Sequence, residues 1–191
     1  MLSHELILSK STPYEPEHGS LVERCIRNER AAQEELYRKY YGKMMGLCRR
    51  YFSGQDEAME VLNHGFLKVF QNINRFSGSG SFEAWIYRII HNTAMDYLKA
   101  NMKNRQLSIE DNSLAEEVPV PAECLEKLQN TDLLKLLDYL PAASRAVFSL
   151  YAVEGYKHAE IASLLNISEG TSKWHLNHAR TRLKALIEQN L

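Results

Sequence analysis

The segment His158-Ala159-Glu160-Ile161-Ala162-Ser163-Leu164-Leu165-Asn166-Ile167-Ser168-Glu169-Gly170-Thr171-Ser172-Lys173 sets apolar residues in helical register on either side of a break. Ile161, Leu165 and Ile167 share the inward side, and Ala162 is small where two helices would cross closely. Asn166 tolerates the left-handed backbone conformation that glycine usually supplies at such a corner. Ser168 then stands where a hydroxyl can cap the helix that follows. The spacing predicts a helix-turn-helix.

Downstream, Leu176, Ala179, Leu183 and Ile187 form the inner stripe of a long helix that also carries Lys173, Arg180, Arg182 and Lys184. A helix that enters the major groove needs polar side chains near its N-terminus for base edges and cations behind them for phosphates. Thr171, Lys173, Trp174, His175, Asn177, His178 and Arg180 are placed to face DNA in that way. The bland alternative is a helical hairpin with a solvated basic face. His175 and His178 stand three apart, a spacing metals can use, but no third ligand accompanies them and no metal is expected. Upstream, Leu133 to Leu140 and Ala142 to Ala152 are also periodic, with Pro141 opening the second stretch and Glu154-Gly155-Tyr156 turning the chain after it.

Before this block lies an acidic strip, Ser108 to Pro121, with two prolines in three residues and no helical period. Proline fixes its own backbone and biases the preceding residue toward extended conformations, so residues 106–132 are expected to be a linker. Solvation alone would account for its acids. Two domains follow, with boundaries at 20–105 and 133–191 and an N-terminal tail of 1–19.

Residues 20–105 read as a helical bundle. Leu21, Val22, Cys25 and Ile26 recur at helical spacing, as do Leu36, Tyr40, Met44, Leu47, Cys48 and Tyr51, and Ser53-Gly54 breaks the second run. Val61, Leu62, Gly65, Phe66, Val69, Phe70 and Ile73 make a third ladder, begun by Asp56, Glu57 and Glu60, acids that suit a helix N-terminus. After the loop Ser77-Gly78-Ser79-Gly80-Ser81 comes a fourth helix carrying Phe82, Trp85, Ile86, Ile89, Ile90, Ala94, Tyr97 and Leu98. Aromatics there alternate with Arg88, His91, Asn92, Lys99, Lys103 and Arg105. Unpaired bases are bound by that mixture: a flat face to stack on, an amide for the base edge and positive charge for phosphate. The competing reading makes Phe82 and Trp85 plain core residues. No stretch alternates with period two, so the fold class is all-α, two small helical domains joined by an acidic linker.

Net charge is a poor guide until it is resolved along the chain. The whole of the 191 residues sums to −1, which argues against a nucleic-acid protein. Residues 20–105 hold fourteen Lys or Arg against nine acids, a net of +5, and residues 133–191 hold seven against five, a net of +2. Residues 106–132 carry −6 and the tail −2. Three cysteines at wide spacing, Cys25, Cys48 and Cys124, suggest neither a disulfide framework nor a zinc site, which suits a reducing cytoplasm. The N-terminus lacks the order of a signal peptide, and no apolar run approaches a membrane span. With no phosphate loop, HExxH or nucleophile elbow, neither an enzyme nor a cofactor is expected.

Taken together, these motifs resemble the bacterial RNA polymerase sigma factors of the sigma-70 family, in their small two-domain extracytoplasmic function (ECF) group. The resemblance spans about residues 20–187. Glu57 to Phe70 is similar to the polymerase-binding helix of region two, Phe76 to Lys99 to the segment that captures the melted minus-ten element, and Leu140 to Leu183 to region four, which binds the minus-thirty-five element. The resemblance implies docking on the clamp coiled coil of the largest polymerase subunit through Glu57, Glu60, Leu62, Asn63 and Phe66. It implies minus-ten contacts from Phe82, Trp85, Arg88, Asn92, Asp96 and Lys99, with Asn92 and the preceding loop holding a flipped base. Glu110, Asp111, Glu116 and Glu117 would run through the polymerase channels in the place of nascent RNA. An anti-sigma partner, often membrane-bound in this group, is implied as well, and no small-molecule substrate.

Two departures stand out. Asn63-His64 occupies the place of the family's usual Gln-Glu, and Ser172, Trp174, His175 and His178 stand where valine and arginines are usual; an altered minus-thirty-five preference is implied. The expected function is promoter recognition and melting together with core polymerase. A helix-turn-helix regulator that binds duplex DNA without polymerase is the alternative, and a helical adaptor that never meets nucleic acid is a third.

Overall fold

The computed structural model describes residues 16–105 and 130–189. Every regular element among them is helical, as the periodicity predicts. Residues 1–15 of the expected tail, the whole acidic strip with Glu110, Asp111, Glu116 and Glu117, and Cys124 lie outside the described residues. Among the described residues, those of Met1–Cys48 with Asp56–Ala94 make one compact unit, and those of Arg49–Gln55 with Met95–Leu191 make another.

The helices of the first unit are α1 (Pro16–Ile26), α2 (Arg30–Tyr51), α3 (Gln55–Asn72) and the start of α4 (Phe82–Arg105), with a 3₁₀ turn, Ile73–Arg75, after α3. Helix α1 begins four residues before the expected start at Ser20, on Pro16, whose fixed φ suits a first helical position. Asn28 turns the chain between α1 and α2 with φ 59°, a second left-handed asparagine that the sequence reading missed. The core is the expected one: Leu36, Met44, Leu47, Val61, Leu62, Phe66, Val69, Ile86 and Ile90 are all buried. Ile26 is 45% exposed at the end of its helix, and Phe70, Trp85, Ile89 and Tyr97 are only partly buried.

Gly65 decides how closely α3 and α4 approach. A Cβ at that position would come within 2.8 Å of Ile90 Cγ1 and 3.3 Å of Ile90 Cα. Only the missing side chain lets the two helices meet there, and their meeting sets the wall of the cleft described below.

The second unit includes α5 (Asn130–Leu137), α6 (Ala142–Phe148), α7 (His158–Leu165) and α8 (Glu169–Gln189). The expected single stretch from Ala142 to Ala152 ends as a π-helical turn over Ser149–Val153, where the Glu154 N–H reaches the Ser149 carbonyl at 3.1 Å. Leu137, Val147, Phe148, Leu150, Ile161, Leu165, Leu176, Ala179 and Leu183 fill the core. Arg145 is fully buried with them; its guanidinium donates to Asp138 Oδ1 at 2.8 Å and to the carbonyls of Arg49 and Arg50, which belong to the same unit. A buried cation is tolerable only when its donors are answered in this way.

The helix-turn-helix corner forms as the sequence requires. Asn166 has φ 56° and ψ 48°, and the Ile167 N–H closes the end of α7 on the Ala162 carbonyl at 3.0 Å. Ser168 Oγ accepts from the Thr171 N–H at 2.9 Å and so caps α8. At the other end of α7, the Glu160 carboxylate reaches back 2.7 Å to the Lys157 N–H.

Candidate nucleic-acid interface

In the first unit, α3 and α4 bound a cleft of about 320 Å³, lined by Lys68, Asn72, Arg75, Trp85, Ile89, Asn92 and Thr93. That volume is at the small end of ligand sites and suits one planar group. Each kind of lining residue has a separate use. Trp85 offers an indole face, and it is itself fixed by stacking on Phe82 at 5.7 Å and 14° and by Phe76 at 5.7 Å. Asn92 supplies an amide for a base edge, Asn72 donates Nδ2 to the Lys68 carbonyl at 2.8 Å and keeps its Oδ1 and second N–H for one, and Lys68 and Arg75 supply cations at the rim. Thr93 Oγ1 is turned onto the Ile89 carbonyl at 2.9 Å, which settles it into its own helix.

The loop before α4 holds this end in place. Gly78 and Gly80 take φ 75° and 94°, conformations other residues seldom adopt, and Ser77 and Ser79 join hydroxyls at 2.7 Å. The Ser81 hydroxyl then accepts from the Ala84 N–H at 3.4 Å at the start of α4.

Of the six residues expected at the melted element, Trp85, Arg88, Asn92, Asp96 and Lys99 follow one side of α4, and all are at least partly exposed. Phe82 does not join them. It is 5% exposed, held between Phe76 at 4.9 Å and Tyr40 at 6.1 Å, so it supports Trp85 and offers no surface of its own. The sequence reading missed Lys68, Asn72 and Arg75. Their signal was a run of polar residues closing an otherwise apolar ladder.

The expected polymerase face of α3 divides in the same way. Glu57, Glu60 and Asn63 are exposed, whereas Leu62 and Phe66 are buried at 0% and 2% and cannot offer side chains to a partner. They are core residues because their period faces α2 and α4. The apolar residue that α3 does expose is Leu67, at 55%, next to His64 in the helical sense. Asn63 Oδ1 accepts from the Tyr37 hydroxyl at 2.9 Å, so α2 fixes its orientation. Burial raises the Tyr37 hydroxyl above its ordinary pKa, so it stays protonated and donates.

In the second unit, Lys173 is exposed and Thr171, Asn177 and Arg180 are partly exposed on α8. Arg180 lies over the Tyr151 ring at 5.6 Å, which fixes the guanidinium without neutralising it. Ser172 is buried and paired with His158 Nδ1 at 2.9 Å.

His175 and His178 depart from the expected outward array. Both direct Nδ1 at one buried hydroxyl of α6, Ser144 Oγ, at 3.1 and 3.2 Å. A hydroxyl has one proton to give, so it donates to one imidazole and accepts from the other. Burial, aided by the nearby His178, lowers His175 to about 4, so it is neutral at ordinary pH. Trp174 lies against both rings, stacked on His178 at 5.2 Å and 5° and edge-on to His175 at 4.8 Å. Among the described residues no cluster of three or more His, Cys, Asp or Glu could hold a metal ion, and no helix is long and apolar enough to cross a membrane.

Comparison with known proteins follows the same division. Residues 36–104 match the family described as sigma-70 region 2, and residues 130–183 match sigma-70, region 4. The chain is 29% identical to the RNA polymerase sigma-H factor of Pseudomonas aeruginosa over 178 residues, covering 87% of this chain and 92% of that one. It is 28% identical to the ECF RNA polymerase sigma-E factor of Haemophilus influenzae over 179 residues, covering 88% and 94%. Among solved structures, a sigma factor in complex with an anti-sigma factor from Bartonella quintana aligns with a TM-score of 0.44 at 20% identity, covering 81% of this chain and 96% of that one.

Proposed function

The chain belongs to the sigma-70 family, in its ECF group, and from that premise we propose how its residues carry promoter-directed initiation by RNA polymerase. The domain of residues 20–105 binds core enzyme and the melted minus-ten element. The domain of residues 133–191 binds the minus-thirty-five duplex, and residues 106–132 link the two. The observation that carries this reading is the cleft under α4, in which one exposed aromatic face, two amides and two cations converge.

A base freed from the duplex enters that cleft, stacks on Trp85 and offers its edge to Asn92 and Asn72, while Lys68, Arg75 and Arg88 neutralise the adjoining phosphates. Asp96 and Lys99 continue along the same side of α4 toward the next bases of the strand. The favourable contacts exist only for unpaired bases, so binding energy goes into melting. Nothing covalent is required, and sigma factors act by binding alone; we assign the protein no enzymatic activity and place it in the cytoplasm, where its polymerase is.

Glu57, Glu60, Asn63 and the exposed Leu67 of α3 form the polymerase contact. Thr171, Lys173, Asn177 and Arg180 of α8 contact the duplex. An anti-sigma protein that covers one of these surfaces completes the set of partners. Run-off transcription with purified core enzyme and a promoter library tests the whole reading. Stimulated, start-site-specific transcripts are expected; a folded protein that stimulates none overturns it.

A further inference from the structure

Trp174 is partly exposed on α8, and its surroundings are built as carefully as a site. The indole is partly exposed on the second turn of α8, beside Thr171, Lys173 and Asn177. His178 lies parallel beneath it and His175 meets it edge-on. Both imidazoles are in turn tied to the buried Ser144 hydroxyl of α6. A side chain with two free torsions has been given a fixed plane by residues 31 and 34 positions apart in sequence from their anchor.

An arginine at a groove-facing position reads guanine through two parallel hydrogen bonds. An indole has one N–H and a broad apolar face, so it gives up that code. The feature of the major groove that rewards an apolar face is the thymine 5-methyl group. Lys173, Arg180 and Lys184 supply the cations for phosphates, so an indole at position 174 bears on selectivity and leaves the electrostatic part of binding to them.

We propose that Trp174 is a specificity-determining residue of the duplex-binding helix that reads a thymine methyl group in the upstream promoter element, with His178, His175 and Ser144 as positioning residues that hold the indole plane. This rests on the sigma-factor reading above and names the base feature that the second unit selects. The histidines act through Trp174, because each turns Nδ1 to Ser144 and lays its ring against the indole.

The test uses the full chain reconstituted with core RNA polymerase and promoters selected by that holoenzyme. Each thymine of the upstream element is replaced singly by deoxyuridine, which removes the methyl group and nothing else, and closed-complex affinity is measured. One buried methyl is worth about a fourfold change, so at one position the uridine template binds about fourfold more weakly. Holoenzyme with Trp174→Ala binds both templates equally. His178→Ala moves the thymine-to-uridine ratio toward one and His178→Phe, which keeps the stack, restores it, while thermal unfolding of α8 is followed separately.

Several results overturn the inference: a selected element without thymine, wild-type holoenzyme indifferent to uridine at each position, or Trp174→Ala retaining the ratio. So does Trp174→Ala weakening core-polymerase binding in the absence of DNA, which would place the indole on the protein partner. Run-off transcription by the wild-type holoenzyme on the same templates scores the sigma-factor reading by itself. Productive initiation without methyl discrimination sinks the inference and leaves that reading standing.

Discussion

In the first unit the candidate site is concave, a cleft between α3 and α4; in the second it is convex, the flank of one helix. Trp85 and Trp174 show the contrast best. Trp85 is stacked on Phe82, a buried residue, and opens into the cleft beside Asn92. Trp174 is stacked on His178, a polar ring anchored to a hydroxyl, and stands on the outside of α8. A base out of its stack needs walls on several sides, whereas an intact groove accepts only something that protrudes. The same side chain therefore serves opposite ends according to whether the backbone recedes or projects around it.

The contrast makes the first site dependent on its core and the second on its charge and its anchor. The hardest blow to the first is Leu62→Ala. Truncating that fully buried side chain on α3 is expected to cost the first unit about 2–5 kcal/mol in urea unfolding. Leu67→Ala, on the exposed side of the same helix, should change stability by less than about 0.5 kcal/mol yet weaken core-polymerase binding. The reverse pattern would return Leu62 to the polymerase face.

Acid strikes the second site. His175 protonates near 6.5 in the unfolded chain but only at about 4 in the fold, so the unfolded state binds the proton first as pH falls. Its contribution to the stability of the second unit is complete above about 6.5, declines between 6.5 and 4 by up to about 3 kcal/mol, and is lost below that. Hydrogen exchange of α8 amides across this range measures the decline, and His175→Gln should flatten it. A slope unchanged in the variant would assign the effect to another group.

Trp85→Ala sharpens the functional half of the comparison. Stacking of one base is worth about 1–3 kcal/mol, so open-complex formation should fall by roughly tenfold or more while closed-complex affinity is kept. Permanganate reactivity and a binding assay on the same promoter separate the two; equal losses would mean that the cleft is engaged before melting. The smallest effect belongs to Lys173→Gln, which removes one phosphate partner. Duplex affinity should fall by about 1 kcal/mol on every sequence alike, and the salt dependence should flatten by about one unit of slope.

What the sequence could show is set by the range of each interaction. Local signals were legible: the left-handed Asn166, the Ser168 cap and the apolar periods of α2, α3, α4 and α8 act within a few residues, and the fold places them as read. The family resemblance points to whole helices and does not say which side of each faces out, so Leu62, Phe66 and Phe82 were assigned partner contacts although they are buried. The anchoring of His175 and His178 by Ser144 depends on a residue more than thirty positions away on another helix, and no period announces it. The cleft was half visible, since Trp85 and Asn92 share one helix, while Lys68, Asn72 and Arg75 join them only because Gly65 lets α3 and α4 touch.

The π-helical turn at Ser149–Val153 has a consequence for chain length. Such a turn contains one residue more than an α-helical turn would need, so it is a place where a single deletion could be absorbed by ordinary helix. Removing Ala152 would rotate the residues before it by about 100° against those after it. The ring of Tyr151 would then leave both His158, on which it stacks at 4.7 Å, and the guanidinium of Arg180 above it. The spare residue thus works as a spacer, and the aim of a cation on α8 is fixed by a count of residues made two elements earlier in the chain.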